Sequence, residues 1–170
     1  GSVFKIFSAA SMLRNGAVDT STVFNCDDGA GGTFIRNSDS HSYGDLSLID
    51  AIAKSSNIYF AQAVGNLSKR ELYRDLLDFG FGQRTTFPYP GQPSGRLQKP
   101  ENWSGRSKPT IAIGQEISVT PLQMAMAMCS VANGGRLLAP RLITEVTDAG
   151  GRVIEQLPPR PLRDVMAEPL

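Results

Sequence analysis

Residues 1–13 read GSVFKIFSAASML. Placed on a helix, Val3, Ile6, Phe7, Ala10 and Leu13 share one face, and Phe4, Ala9 and Met12 cover much of the rest. A helix apolar nearly all round is a buried one. Ser2, Lys5 and Ser8 are left as a narrow polar line. Ser2 and Lys5 stand one helical turn apart, so Oγ and Nζ can meet. An amine taken into such surroundings loses solvation, and its pKa falls. A deprotonated lysine can then take the proton from a serine hydroxyl and make it a nucleophile at neutral pH. The competing reading is a lysine at a helix end that snorkels to water.

Spacing does not decide between them. With 16 serines and 5 lysines in the chain, random placement yields S-x-x-K about half the time. Context adds weight. Ser55-Ser56-Asn57 forms an S-x-N triplet in "LSLIDAIAKSSNIYFAQAVG", a short loop between two helical stretches. There side chains can point into a cleft, although Asn57 also suits a helix N-cap.

Working outward, three helix starts are predicted. In "LSKRELYRDLLDFGFG", Ser68 and Glu71 form a capping box, Leu72, Leu76 and Phe79 form the apolar stripe, and Gly80 ends it. In "SVTPLQMAMAMCSVANGG", Thr120 is the N-cap, Pro121 the first helical residue and Gln123 closes the box. Leu122, Ala125, Met126, Cys129 and Ala132 then share a face, which makes Cys129 a small core residue. Ser47 and Asp50 start a shorter helix. Residues 24–45 read as loop, with a short strand at Thr33–Ile35. Five prolines between Phe87 and Pro109 mark a long irregular loop pinned by Trp103, and such loops tend to be functional. "PRLITEVTDAGGRVIEQL" reads as a β-hairpin turning at Asp148–Gly151. The last residues, "PPRPLRDVMAEPL", have too little apolar content to build an element alone, and a new helix is expected to begin where the chain ends.

Composition narrows the classes. The charge of +1, from 17 basic and 16 acidic residues, gives no basic stripe and no nucleic-acid partner. Two cysteines without a CxxC pair and a single histidine, His41, argue against an ordinary zinc site, and no cofactor is expected. The pairing of Cys26 with Cys129 stays open. His41, in the polar stretch "SDSHSYGD", reads as a surface residue. No apolar run reaches the roughly 18 residues that span a bilayer.

"GSVFK", "AIAKSSNIYFAQ" and "AIGQEISVTPLQMAMAMCSVANGGRLLAPRLI" together resemble penicillin-binding protein transpeptidase domains of the class B, monofunctional type. The resemblance covers nearly the whole chain. It implies an α+β parent fold of the β-lactamase and transpeptidase kind, of which this chain is mainly the helical lobe plus a β-hairpin. It also implies a peptidoglycan D,D-transpeptidase that forms a serine acyl-enzyme on D-Ala-D-Ala stem peptides. By this resemblance Ser2 is the nucleophile and Lys5 the general base. Ser55 passes a proton to the departing D-Ala, and Asn57 orients Lys5 and the substrate amide. The implied partners are donor and acceptor stem peptides, β-lactam antibiotics and, through the full-length protein, a glycosyltransferase and scaffold proteins of cell-wall synthesis. The implied location is the periplasmic face of the bacterial cytoplasmic membrane, held by an N-terminal helix outside this sequence.

One motif departs from the pattern. No K-T-G or K-S-G occurs in the 170 residues, although the family uses it to bind the substrate carboxylate beside an oxyanion donor. Residues 1–170 are therefore expected to be a partial transpeptidase domain, with sheet strands before residue 1 and after residue 170 lying outside it and little activity in isolation. Two other readings remain: a serine β-lactamase or β-lactam sensor of the same fold, and a non-catalytic helical scaffold. A β-lactamase would need a glutamate to activate the deacylating water. Glu101 and Glu116 are the only acids in a plausible region, and Glu116 fits the transpeptidase pattern in place of a commoner small residue, so neither is assigned that role.

Overall fold

The computed structural model describes residues 1–38, 40–87 and 89–166. The expected helix at the chain end falls on 167–170, outside the described residues, as does Pro88 within the proline-rich loop. Two compact units are present, Gly1–Leu77 with Arg96–Ser118, and Asp78–Gly95 with Val119–Leu170.

The first unit is helical. A 3₁₀ turn, Ser2–Phe4, runs into α1 (Lys5–Arg14). A two-residue ribbon pairs β1 (Phe24–Asn25) with β2 (Asp45–Leu46). Then follow α2 (Leu48–Ala53), α3 (Asn57–Ala63), α4 (Lys69–Asp78) and α5 (Ser107–Ala112). α1 packs against α2 and α3, and α3 packs against α5. Phe4, Phe7, Met12, Ile58, Tyr59, Phe60, Leu72, Leu76 and Ile111 form the core. Each such side chain contributes about 1.5–3 kcal/mol on burial, and edge-on contacts between Phe4 and Phe7 (5.7 Å) and between Tyr59 and Phe60 (5.8 Å) add to it.

The buried side of α1 is not the face of Val3, Ile6 and Leu13. Val3 is 58% exposed, whereas Lys5, Ser8 and Ser11 are buried with Phe4, Phe7 and Met12. Lys5, Ser8 and Ser11 turn inward because each finds a partner there, as buried polar groups must, whereas Ser2 at the head of the polar line stays exposed. Ser8 Oγ donates to Ala112 O (2.8 Å), and Ser11 Oγ donates to Asp75 Oδ2 (2.6 Å). Asp75, fully buried, also accepts from Asn15 (2.6 Å) and faces Arg14 (3.3 Å) and Arg74 (3.6 Å). It ties the end of α1 to α4.

The caps fall where the sequence puts them. Ser68 N donates to Glu71 Oε2 (2.8 Å) while Glu71 N donates to Ser68 Oγ (3.1 Å), closing the box on α4. Asp50 N donates to Ser47 Oγ at the start of α2 (3.2 Å). Trp103 does pin its loop: it is buried, its Nε1 donates to Gln98 O (2.8 Å), and its own carbonyl accepts from Lys69 (2.9 Å). Thr33–Ile35 is not a strand. Ile35 N bonds the Thr33 hydroxyl (3.1 Å), and local bonding of this kind diverts the backbone from a ladder.

The second unit centres on α6 (Pro121–Ala132), started by the complete Thr120–Gln123 capping box. Its buried face carries Gln123, Ala127 and Ser130, and Cys129 is exposed. The apolar residues surround this helix, so periodicity could not select the inward face. The deciding residue is Gln123, whose Nε2 donates to Gln83 O (2.6 Å) and Ser94 O (2.8 Å). β3 (Arg136–Leu138) pairs antiparallel with β6 (Pro161–Asp164), so the C-terminal stretch does build a strand by borrowing a partner. β4 (Glu145–Thr147) and β5 (Val153–Gln156) form the expected hairpin, with Gly150 N and Arg152 N both donating to Asp148 Oδ1 (2.9 Å) in its turn. Both cysteines carry free thiols.

Candidate active site

Ser2 stands exposed at the start of the 3₁₀ turn, where Phe4 N donates to Gly1 O (2.9 Å). The turn places Lys5 one step further along and inward, only 3% exposed. Its Nζ reaches three oxygens: Ser2 Oγ at 3.2 Å, Ser55 O at 2.6 Å and Ser55 Oγ at 3.0 Å. The Phe60 ring lies 5.9 Å from the ammonium. Burial pushes the Lys5 pKa down from 10.5 to about 8, because the desolvated cation is disfavoured against the neutral amine.

These contacts differ in kind. The Ser55 carbonyl can only accept, so it holds one N–H of Lys5 in either protonation state. The two hydroxyls can both accept and donate. When Lys5 is neutral, its lone pair can take the proton of Ser2 or of Ser55 without leaving its anchor. Lys5 therefore joins two hydroxyls through one nitrogen, a geometry for proton transfer.

Ser55 reaches Lys5 through an uncommon backbone. Its φ is +55°, in the left-handed region, which costs a non-glycine residue about 1–2 kcal/mol. This conformation aims both its carbonyl and its hydroxyl at Lys5. Strain of this kind collects at functional sites. Asn57 is the first residue of α3; its Nδ2 donates to Arg36 O (2.9 Å), and its backbone N to Asn37 Oδ1 (3.0 Å). Lys5 thus contacts both Ser2 and Ser55, while the Asn57 side chain is bonded to Arg36 O and adjoins them through the turn it shares with Ser55. His41 is exposed. Glu116 has its carboxylate on Thr110 Oγ1 (3.0 Å) and, at φ +54°, a backbone that suits glycine.

Sequence reasoning missed two supports. Gly114 O accepts from Gly1 N (2.7 Å). At φ +80°, its Cβ would lie 2.7 Å from Gly1 N and Phe4 Cβ, and closer still to Gly1 O. Only glycine lets this backbone lie against the Ser2 turn. The second support, Asn37, lay unnoticed in a polar loop because nothing in its spacing signals burial.

A family model for the penicillin-binding protein transpeptidase domain matches residues 1–168. The chain belongs to the penicillin-binding protein transpeptidase family. Penicillin-binding protein PbpB of Mycolicibacterium smegmatis is 34% identical over 170 residues, which is 99% of this chain and 26% of that protein. Stage V sporulation protein D of Bacillus subtilis is 31% identical over 87% of this chain and 23% of its own length. The chain thus spans about a quarter of the length of these relatives. Among solved structures, penicillin-binding protein 3 of Mycobacterium tuberculosis in complex with aztreonam matches with a TM-score of 0.79 at 28% identity, covering 99% of this chain and 38% of that one. The transpeptidase domain of penicillin-binding protein 3 of Burkholderia pseudomallei gives a TM-score of 0.82 at 25% identity, covering 98% and 48%. The fold is accordingly the α+β transpeptidase type, present here as helices with small sheets.

Proposed function

We propose that this chain supplies the acylating half of a peptidoglycan D,D-transpeptidase site. The observation that carries the reading is Lys5: one buried amine, its pKa lowered to about 8, touches the hydroxyls of both Ser2 and Ser55. A relative named peptidoglycan D,D-transpeptidase supports it, MrdA of Acinetobacter baumannii, 29% identical over 84% of this chain and 23% of that protein.

In this reading neutral Lys5 takes the Ser2 proton as Ser2 Oγ attacks the carbonyl of the penultimate D-Ala. A new C–O bond forms, and the C–N bond to the terminal D-Ala breaks. The proton passes from Lys5 through Ser55 to the leaving amine. An acceptor amine on a second stem peptide then attacks the ester and restores Ser2. Asn57 holds the substrate amide. A β-lactam enters by the same attack, but its leaving amine stays tethered, so the ester persists. All proton carriers in this scheme are side chains, and no cofactor is used. The site works outside the cytoplasmic membrane, in the full-length protein, alongside a glycosyltransferase and scaffold proteins of wall synthesis.

The test is release of D-Ala from a synthetic peptide ending in D-Ala-D-Ala by the full-length protein, with a D-amino acid as acceptor. A cross-product that disappears in Ser2→Ala is expected. Hydrolysis of the peptide without cross-product would favour a carboxypeptidase, rapid turnover of a β-lactam would favour a β-lactamase, and no turnover of either with intact folding would favour a scaffold.

A further inference from the structure

We propose that Asn37 is a positioning residue that holds the Ser55 turn, and through it Lys5, in the geometry needed for proton transfer. The proposal rests on the acylation reading above. Asn37 lies between β1 and β2, far from Ser2 in sequence, and is only 4% exposed. Its Oδ1 accepts from Ser56 Oγ (3.1 Å), Asn57 N (3.0 Å) and Ile58 N (3.3 Å). The last two are the first backbone N–H groups of α3, which a helix cannot satisfy internally. Ser56 adds its own cap, accepting from Tyr59 N (3.2 Å). On its other side, Asn37 Nδ2 donates to His41 O (2.8 Å) and Cys26 O (3.2 Å).

One amide therefore clamps the residues on the C-terminal side of Ser55 to the β1–β2 loop. Ser55 is the residue that needs a clamp. Its left-handed backbone is unfavourable by itself, and relaxing it would swing the carbonyl and hydroxyl away from Lys5. The cap of an ordinary helix start needs one acceptor. Here the acceptor is buried, takes three donors and is itself fixed by two. That excess points to registration of the turn rather than to helix stability alone.

The test uses Asn37→Leu, which keeps the volume and removes every polar atom, and Asn37→Asp, which restores the acceptor, both in the full-length protein. Rates of acylation by a fluorescent penicillin are separated into pre-covalent binding and bond formation. Lys5 is titrated independently by ¹³C-lysine NMR. With Asn37→Leu, bond formation is expected to slow about 10–100-fold, the scale of a misplaced catalytic group, with binding little changed. Water reaching the loosened amine should move the Lys5 pKa up towards its ordinary value. Asn37→Asp should recover only part of the rate at high pH, because its carboxylate keeps the acceptor but cannot donate to His41 O and Cys26 O, and its acid limb should shift upward with the added negative charge. Asn37→Leu acylating at the parent rate with an unmoved Lys5 pKa would overturn the proposal. So would an Asn37→Asp variant that acylates no faster than Asn37→Leu at high pH. If the parent protein fails to react with penicillin, the functional reading falls, and the Lys5 titration alone decides the role of Asn37.

Discussion

Acylation of Ser2 should follow the deprotonation of Lys5, and the buried amine fixes how steeply. With a pKa of about 8, roughly 9% of molecules hold neutral Lys5 at pH 7 and roughly 90% at pH 9. The second-order rate with a fluorescent penicillin should therefore rise about tenfold over that interval and then level off. A lysine at its ordinary 10.5 would instead give about a hundredfold rise with no plateau before pH 10. The assay is labelled-protein formation over short times, in buffers of matched ionic strength from pH 6 to pH 10. A rate flat across this range would refute Lys5 as the base. A rate still climbing tenfold per pH unit at pH 9.5 would refute the claim that burial sets its pKa.

The same amine carries a stability signature. Its folded pKa lies below its unfolded one, so the unfolded chain binds more protons between about pH 8 and 10.5, and stability rises with pH across that window. Lys5→Met should abolish this slope, read as the difference between parent and variant in urea melts at pH 7 and pH 10.5. Gly114→Ala should destabilise by about 2–4 kcal/mol, since its Cβ meets Gly1 and Phe4 and its φ is left-handed; thermal melts and loss of penicillin labelling should go together. Asp75→Ala should cost about 2–4 kcal/mol by stranding the buried Ser11 hydroxyl, with Asp75→Asn milder because it keeps an acceptor.

The sequence made some of this legible because local chemistry acts within a few residues. The capping boxes at Ser68 and Thr120 and the Asp148 turn are such cases, and each start or turn lies where side-chain and backbone groups dictate. The Ser2–Lys5 pairing belongs with them, being a matter of one helical turn. The contact of Lys5 with Ser55 spans 50 residues and depends on a left-handed backbone that no spacing encodes. Asn37 and Gly114 are hidden for the same reason, since their roles arise only once distant loops are brought against the turn. Where apolar residues surround a helix, as on α6, the pattern could not say which side faces in. The answer came from polar Gln123 and left Cys129 outside. The strand at Pro161–Asp164 was illegible alone because its partner, Arg136–Leu138, lies over twenty residues upstream.

The central claim is that Ser2 is the nucleophile and Lys5 its base, and intact-protein mass spectrometry tests it most directly. The full-length protein is treated with ampicillin at pH 8 and digested, and the adduct is mapped. The account predicts one ampicillin adduct, on the peptide bearing Ser2, absent from Ser2→Ala and strongly slowed in Lys5→Met. An adduct that persists in Ser2→Ala, or a folded parent protein that gains no mass, would contradict it.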